Sequence, residues 1–182
     1  MESSEPGLRI IAVAGLPGTG KSTLARELAR RLGAPLLDKD RVRAALFAPQ
    51  EIEYSREQDD LVLECVWRAL EFHARRGRVE SVVLDGRTYS RRVQVEELRS
   101  NAARLGARLT LVECVAAPEV VRARLERDAR TGSHPAGNRS VELYERLRAS
   151  AEPIEGPRLV LATDARPLAA LVVAALEHLD LP

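Results

Sequence analysis

The chain has 182 residues, of which 45% are hydrophobic, 30% are charged and 3% are aromatic, and its formal net charge is +1. This length and composition fit one folded domain and argue against long disordered stretches. A net charge near zero gives no global positive field that would recruit nucleic acid. We expect a single domain over residues 1–182, with a flexible tail at 1–7 and a lid segment at 131–139.

Neither end of the chain carries a targeting or membrane-spanning pattern. The acidic, polar N-terminus lacks the basic and apolar regions of a secretory signal. The longest apolar run, Leu168 to Leu176, is about half the length that a membrane-spanning helix needs. We therefore expect a cytoplasmic protein that does not contact membranes.

Short apolar runs alternate with helical stripes along the chain. The apolar runs predict five strands, at residues 8–14, 35–37, 81–85, 109–115 and 159–161. The stripes predict helices at 24–32, 40–47, 57–76, 95–105, 118–130, 141–147 and 168–179. This alternation is typical of an α/β fold, a three-layer sandwich with a five-stranded parallel sheet. Ligands of such folds bind beyond the carboxyl ends of the strands.

The strongest motif is a glycine-rich loop between the first strand and the first helix, with the pattern G-x-x-x-x-G-K-[ST]. It consists of Gly15, Leu16, Pro17, Gly18, Thr19, Gly20, Lys21 and Ser22. Its glycines allow successive backbone N–H groups to turn inward and cradle phosphate oxygens. Lys21 would reach the β- and γ-phosphates and Ser22 would coordinate magnesium. We therefore predict ATP and Mg²⁺ as ligands of a P-loop fold, with Pro17, Thr19 and Thr23 among the nucleotide-binding residues.

A P-loop is common to kinases, GTPases and mechanical ATPases, so other segments must distinguish them. The chain has no Asn-Lys-x-Asp segment for reading guanine, and it is too short for the extra domain of a large ATPase. Two carboxylates, Asp38 and Asp40, follow the second strand, where an acceptor hydroxyl would meet the γ-phosphate. We predict that Asp40 is the general base, with Asp38 and Arg43 as substrate-binding residues. The alternative is that Asp40 only caps the following helix.

Further candidates follow the third strand. Asp85 would hold a water of the magnesium shell or contact substrate, and Arg87 in the same loop would face the acceptor. The alternative for Asp85 is an Asx turn that starts the loop.

An arginine repeat leads into the predicted helical lid. Arg124, Arg127 and Arg130 recur every three residues on the helix that precedes segment 131–139. Such arginines could close over the phosphates and stabilise the transition state. We assign a catalytic and ATP-binding role to Arg127 and an ATP-binding role to Arg130. The alternative is a solvated arginine-rich face.

The order of these motifs resembles the kinase domain of polynucleotide kinases and related small AAA-type P-loop kinases, including adenylylsulfate and gluconate kinases. The resemblance spans residues 8 to about 150 and includes the P-loop, Lys39-Asp40-x-x-Arg43 and Leu84-Asp85. It implies that Asp40 is the general base, that Arg43 contacts a substrate phosphate and that Asp85 lies in the active site. The segment 37–43 also resembles that of adenylylsulfate kinases, except that Lys39 replaces their glycine.

These patterns predict an ATP-dependent phosphotransferase that passes the γ-phosphate to a hydroxyl of a small molecule, such as a metabolite or an antibiotic-like compound. A polynucleotide 5′-hydroxyl kinase is the first alternative. The near-neutral charge and the few aromatic residues available for base stacking disfavour it. The second alternative is a nucleotide-dependent switch or binding protein without an acceptor.

Overall fold

The computed structural model describes residues 7–131 and 140–180. Its centre is a parallel five-stranded sheet with the order β2-β3-β1-β4-β5. The strands are β1 (Arg9–Ala14), β2 (Leu36–Asp38), β3 (Ser81–Asp85), β4 (Arg108–Val115) and β5 (Leu159–Ala162). All five lie within one or two residues of the predicted positions, so the predicted sheet is confirmed.

Helices connect the strands. They are α1 (Lys21–Leu32), α2 (Lys39–Leu46), α3 (Arg56–Arg76), α4 (Arg92–Arg104), α5 (Pro118–Thr131), α6 (Val141–Ser150) and α7 (Leu168–His178). A short 3₁₀ turn, Pro49–Glu51, which the sequence patterns did not predict, lies between α2 and α3. The predicted lid segment lies outside the described residues except for Thr131, and so does the predicted tail except for Gly7.

Two apolar cores lie on opposite faces of the sheet. On one face, side chains from α1 and α7 pack against the strands, among them Leu24, Leu28, Leu171, Val172 and Ala175. On the other face, α3 and α4 supply Val66, Leu70, Val95, Leu98 and Ala102. Helices therefore cover the sheet on both sides, as the predicted three-layer sandwich requires.

Strand β1 is the central strand of the sheet. It pairs with β3 on one side and β4 on the other, and Ile10 to Ala14 are fully buried. A parallel strand buried on both faces is a continuous hydrophobic run rather than an alternating pattern. The glycine-rich loop follows this strand directly, so it is anchored to the central, fully buried strand of the sheet.

The carboxyl ends of the neighbouring strands meet at the same edge. Asp38 at the end of β2 is in register with Asp85 at the end of β3. β1 ends beside β3, so the P-loop, Asp38 and Asp85 lie along one edge of the sheet. Within the described ranges, no helix is both long and apolar enough to cross a membrane.

Candidate nucleotide and acceptor site

The phosphate loop makes close contacts that only glycine allows. Gly15 and Gly18 have φ angles of +136° and +80°, which L side chains rarely adopt. A Cβ on Gly18 would lie 2.8 Å from Cγ1 of Val121 and 3.0 Å from Cγ of Leu125, both on α5. A Cβ on Gly15 would collide with the carbonyl oxygen of Cys114 at the end of β4. The loop is thus packed tightly against the end of β4 and against α5.

Hydrogen bonds within the loop hold its curvature. Leu16 O accepts from the Thr19 backbone N–H at 3.3 Å, from Thr19 Oγ1 at 2.8 Å and from Lys21 Nζ at 3.4 Å. Thr163, after β5, donates its Oγ1 hydroxyl to Thr19 O at 2.7 Å. Lys21 is buried, which places its ammonium within the loop where phosphate oxygens would lie.

Arg124 joins the phosphate loop to the end of β5. Its Nη1 donates to Gly18 O at 3.3 Å and to Thr163 Oγ1 at 3.0 Å, and its Nη2 donates to Thr163 O at 3.0 Å. The sequence patterns pointed instead to Arg127 and Arg130, because spacing alone does not show which arginine turns toward the loop. Arg124 therefore connects the phosphate loop to the residues that follow β5.

A cavity of about 390 Å³ opens beside the P-loop and extends toward α7. Its lining residues include Lys21, Ser22 and Thr23 from the start of α1 and Leu168 and Leu171 from α7. Arg127 also lines this cavity, with an exposed side chain. Arg130 is exposed and is not among the lining residues of the described chain. The cavity has the position expected for a nucleotide at a P-loop.

The residues at the predicted magnesium site fit a hydrated cation. Asp85 is buried, and among the described residues neither of its carboxylate oxygens has a hydrogen-bond partner. An ionised carboxylate is costly to bury without a partner, so this position suits a cation or its water shell. No group of three or more His, Cys, Asp or Glu side chains in the described residues could hold a metal alone. Ser22 and Asp85 would therefore hold magnesium together with nucleotide phosphates.

Helix α2 begins with a cap supplied by Asp38. Its Oδ1 accepts from the backbone N–H of Asp40 at 2.9 Å and of Arg41 at 3.4 Å. Burial raises the pKa of Asp38, and the carboxylates of Asp85 and Asp40 raise it further. The alternative that Asp40 is the cap is wrong, because Asp38 fills that position. Asp40 is left available for other chemistry.

Asp40 lies in a second cavity, of about 380 Å³, on the β2 side of the P-loop. The cavity is lined by Pro17, Lys21, Ser22, Lys39, Asp40, Arg43, Tyr54, Asp59, Gly86, Thr88, Leu143, Arg146 and Leu147. Asp40 Oδ1 accepts from Arg43 Nη1 at 3.1 Å. Burial raises the pKa of Asp40, against the opposing effect of Lys39, Arg43 and Lys21. Lys21 and Ser22 line both cavities, so the two meet at the P-loop.

Arg43 is almost fully buried beside this cavity. One end of its guanidinium donates to Asp40 and the other donates to Asp59 on α3. Its Cζ lies 4.9 Å from the centre of the Tyr54 ring. Asp59 and Tyr54 were not predicted, because their contacts with α2 bring together residues far apart in sequence. The only sequence sign of Asp59 is its acidic position in the first turn of a helix.

The second cavity, called the acceptor cavity below, is not lined by three of the predicted substrate-binding residues, Asp38, Asp85 and Arg87. Arg87 is turned toward α4 instead. Its Nη1 donates to Glu97 Oε2 on α4 at 2.8 Å, and its Cζ lies 5.9 Å from the Tyr89 ring centre. The paired carboxylate directs the guanidinium toward α4. Among the described residues, the acceptor-side lining of this loop comes from Gly86 and Thr88 instead.

Comparison with protein families decides where this chain belongs. A family model described as an AAA domain matches residues 10–154, which include the P-loop, Asp40, Asp85 and the arginines of α5. The chain belongs to the AAA domain family. The predicted resemblance to AAA-type P-loop proteins is confirmed by this match, and solved structures described as kinases share the fold.

Solved structures share the fold of this AAA domain over nearly its whole length. The APS kinase of Mycobacterium tuberculosis, in complex with AMPPNP and APS, has a TM-score of 0.70 at 20% identity, covering 97% of this chain and 99% of that one. A gluconokinase from Sinorhizobium meliloti 1021 has a TM-score of 0.66 at 22% identity, covering 95% and 92%. These similarities show the fold.

Curated relatives match shorter parts of the chain. A shikimate kinase of Paracidovorax citrulli is 62% identical over 32 residues, 18% of each protein. A cytidylate kinase of Pyrobaculum aerophilum is 39% identical over 83 residues, 42% of this chain and 43% of that protein. The matches therefore span less than half the length of either relative.

Proposed function

We propose that the chain is an ATP-dependent phosphotransferase that moves the γ-phosphate to a hydroxyl of a small molecule. The observation that carries the proposal is that two cavities meet at Lys21 and Ser22, with Asp40 lining one of them. A nucleotide held by the P-loop would place its terminal phosphate between them. The acceptor would then approach from the side of Asp40.

The nucleotide side is formed by the P-loop and by α5. Lys21 and the backbone N–H groups of the loop would bind the phosphates, and Ser22 and Asp85 would hold magnesium. Magnesium, when bound, neutralises charge that develops on the phosphoryl group. Arg127 lines the nucleotide cavity, and we assign to it the stabilisation of the transferring phosphoryl group. We also assign phosphate binding to Arg130, which is exposed and does not line this cavity among the described residues.

The acceptor side depends on the two oxygens of Asp40. Oδ1 accepts from Arg43, whereas Oδ2 has no hydrogen bond to the described residues. Oδ2 would accept the proton of the acceptor hydroxyl while the hydroxyl oxygen forms a bond to the γ-phosphorus. The bond from that phosphorus to the bridging oxygen breaks, and ADP leaves. A raised pKa makes Asp40 a better proton acceptor than an exposed aspartate.

The other acceptor-side predictions take different parts in this proposal. Arg43 lines the cavity, and we assign a substrate contact to it. Asp38 supports the site by capping α2. A contact between Arg87 and the acceptor would require its pair with Glu97 to open. The volume of the cavity, about 380 Å³, supports a small acceptor. The kinases described above are also named after small molecules.

An ADP-release screen with magnesium-ATP tests the proposal. The panel contains sugars and sugar acids, nucleosides, aminoglycoside-like compounds and 5′-hydroxyl oligonucleotides. Lys21→Met serves as the control for contaminating ATPases. We expect at least one small hydroxyl compound to raise ADP release well above the acceptor-free rate. Release that depends only on oligonucleotides would replace the small molecule by a polynucleotide, and release independent of every acceptor would favour a nucleotide switch.

A further inference from the structure

Asp59 is a charged residue of the acceptor cavity to which the proposed chemistry gives no part. It lies in the first turn of α3, where the helix dipole favours a negative charge. Both of its carboxylate oxygens lie 3.1 Å from Lys39 Nζ, and it also accepts from Arg43 Nη2. Its side chain is 38% exposed, whereas that of Arg43 is 2% exposed. Asp59 thus joins α3 to two cations of α2.

The guanidinium of Arg43 is divided between two carboxylates. Nη1 donates to Asp40 Oδ1, and Nη2 donates to Asp59. When only one carboxylate is within reach of an arginine guanidinium, the guanidinium tends to donate to both oxygens of that carboxylate. If a neutral side chain replaced Asp59, Arg43 and Lys39 would both pair with the carboxylate of Asp40. The oxygen that must accept the hydroxyl proton would then be occupied.

We infer that Asp59 is a positioning residue, which holds one end of Arg43 and the Lys39 ammonium so that Asp40 keeps Oδ2 for the acceptor hydroxyl. The inference rests on the proposed function, because it assigns a role relative to Asp40 as base. It also explains why two cations can lie beside the base. Each of them already has Asp59 as an anionic partner.

The first test compares kinetic constants of Asp59→Asn with those of Asp60→Asn, using the acceptor found in the ADP-release screen. Asp60 is the matched control, because it is exposed in the same turn and, among the described residues, forms an ion pair only with Arg56. We expect Asp59→Asn to lower kcat between about 10- and 100-fold while KM for ATP changes less than about twofold. Asp59→Glu should recover part of kcat, and Asp60→Asn should resemble the wild type.

The outcomes separate this inference from the proposed function. Loss of activity in Asp40→Asn together with wild-type kcat in Asp59→Asn overturns the inference alone. Full activity in Asp40→Asn overturns the proposed base. A kcat lost equally in Asp59→Asn and Asp60→Asn also overturns the inference, because it shows a general effect of charge on α3.

A second test needs no acceptor. Lys21 and Lys39 are the only lysines of the chain, so ¹³C labelling of lysine gives two side-chain signals, and Lys39→Arg assigns them. Lys39 lies among the charges of Arg43, Asp40, Arg87 and Asp59. Asp59→Asn should lower the titration midpoint of Lys39, because the amide no longer stabilises the ammonium. An unchanged midpoint overturns the inference, and Asp60→Asn should leave the midpoint in place.

Discussion

Asp38 and Asp40, at the end of β2, have different contacts. Asp38 binds the backbone N–H groups at the start of α2, while Asp40 faces the acceptor cavity. Because each position does a separate job, substitutions at them should affect different properties of the protein. Capping should govern stability, and the cavity carboxylate should govern phosphotransfer.

At Asp40, the change to Asn removes the proton acceptor but keeps a side chain of the same shape. We expect Asp40→Asn to lower kcat by about 10² to 10⁴, the usual contribution of general acid–base catalysis. Its thermal unfolding and its affinity for ATP should stay close to those of the wild type, because the cap is Asp38. Calorimetry and nucleotide titration check this. Asp38→Ala, which loses the cap, should instead cost about 1 kcal/mol of stability.

Lys39 should titrate near neutral pH. Burial lowers its pKa from 10.5 to about 8, with a further lowering from Arg43. The folded protein therefore releases a proton that the unfolded chain keeps until higher pH. Stability attributable to Lys39 should rise as pH increases from about 8 to 10.5. Unfolding curves of wild type and Lys39→Met, compared at pH 7.5 and 9.5, should show this gain in the wild type only.

The contact between the P-loop and α5 sets the geometry of the nucleotide side. Gly18→Ala places a methyl group against Val121 and Leu125 in a left-handed backbone conformation. Gly33→Ala is the matched control, because Gly33 has a φ of +57° and a Cβ added there would meet no described neighbour within 4 Å. We expect Gly33→Ala to cost about 1 kcal/mol from backbone strain, and Gly18→Ala to cost more and to weaken ATP binding. Equal stability and ATP affinity in the two variants would contradict this account of the loop.

Nucleotide binding should stabilise the whole domain. A ligand at 100 times its Kd adds about 2.7 kcal/mol to the free energy of unfolding, which in a chain of this size corresponds to roughly 5–10 °C in Tm. We expect magnesium-ATP to give a shift of this order, and EDTA to reduce it. Asp85→Asn should reduce the magnesium-dependent part of the shift. A Tm that magnesium does not influence would argue against Asp85 at the metal site.

The sequence patterns predicted the order of the elements, and they named most of the residues that now form the candidate site. Strands that are buried on both faces, and capped helices with one apolar face, each have a recognisable local sequence pattern. The P-loop is recognised by its fixed spacing. The pattern does not tell which of two neighbouring aspartates caps α2, because both suit that role. It also does not reveal the role of Asp59, the hydrogen bonds of Arg124 to Gly18 and Thr163, or the pairing of Arg87 with Glu97. Those contacts depend on packing between elements distant in sequence.

The most direct test of phosphotransfer follows the γ-phosphate itself. The wild type is incubated with [γ-³²P]ATP, magnesium and the acceptor found in the ADP-release screen, and the labelled products are separated. We predict that label appears in the acceptor in equal amount to ADP, and that Asp40→Asn transfers almost none. Label found only in inorganic phosphate, or transfer by Asp40→Asn at the wild-type rate, would contradict the proposed reaction or its base.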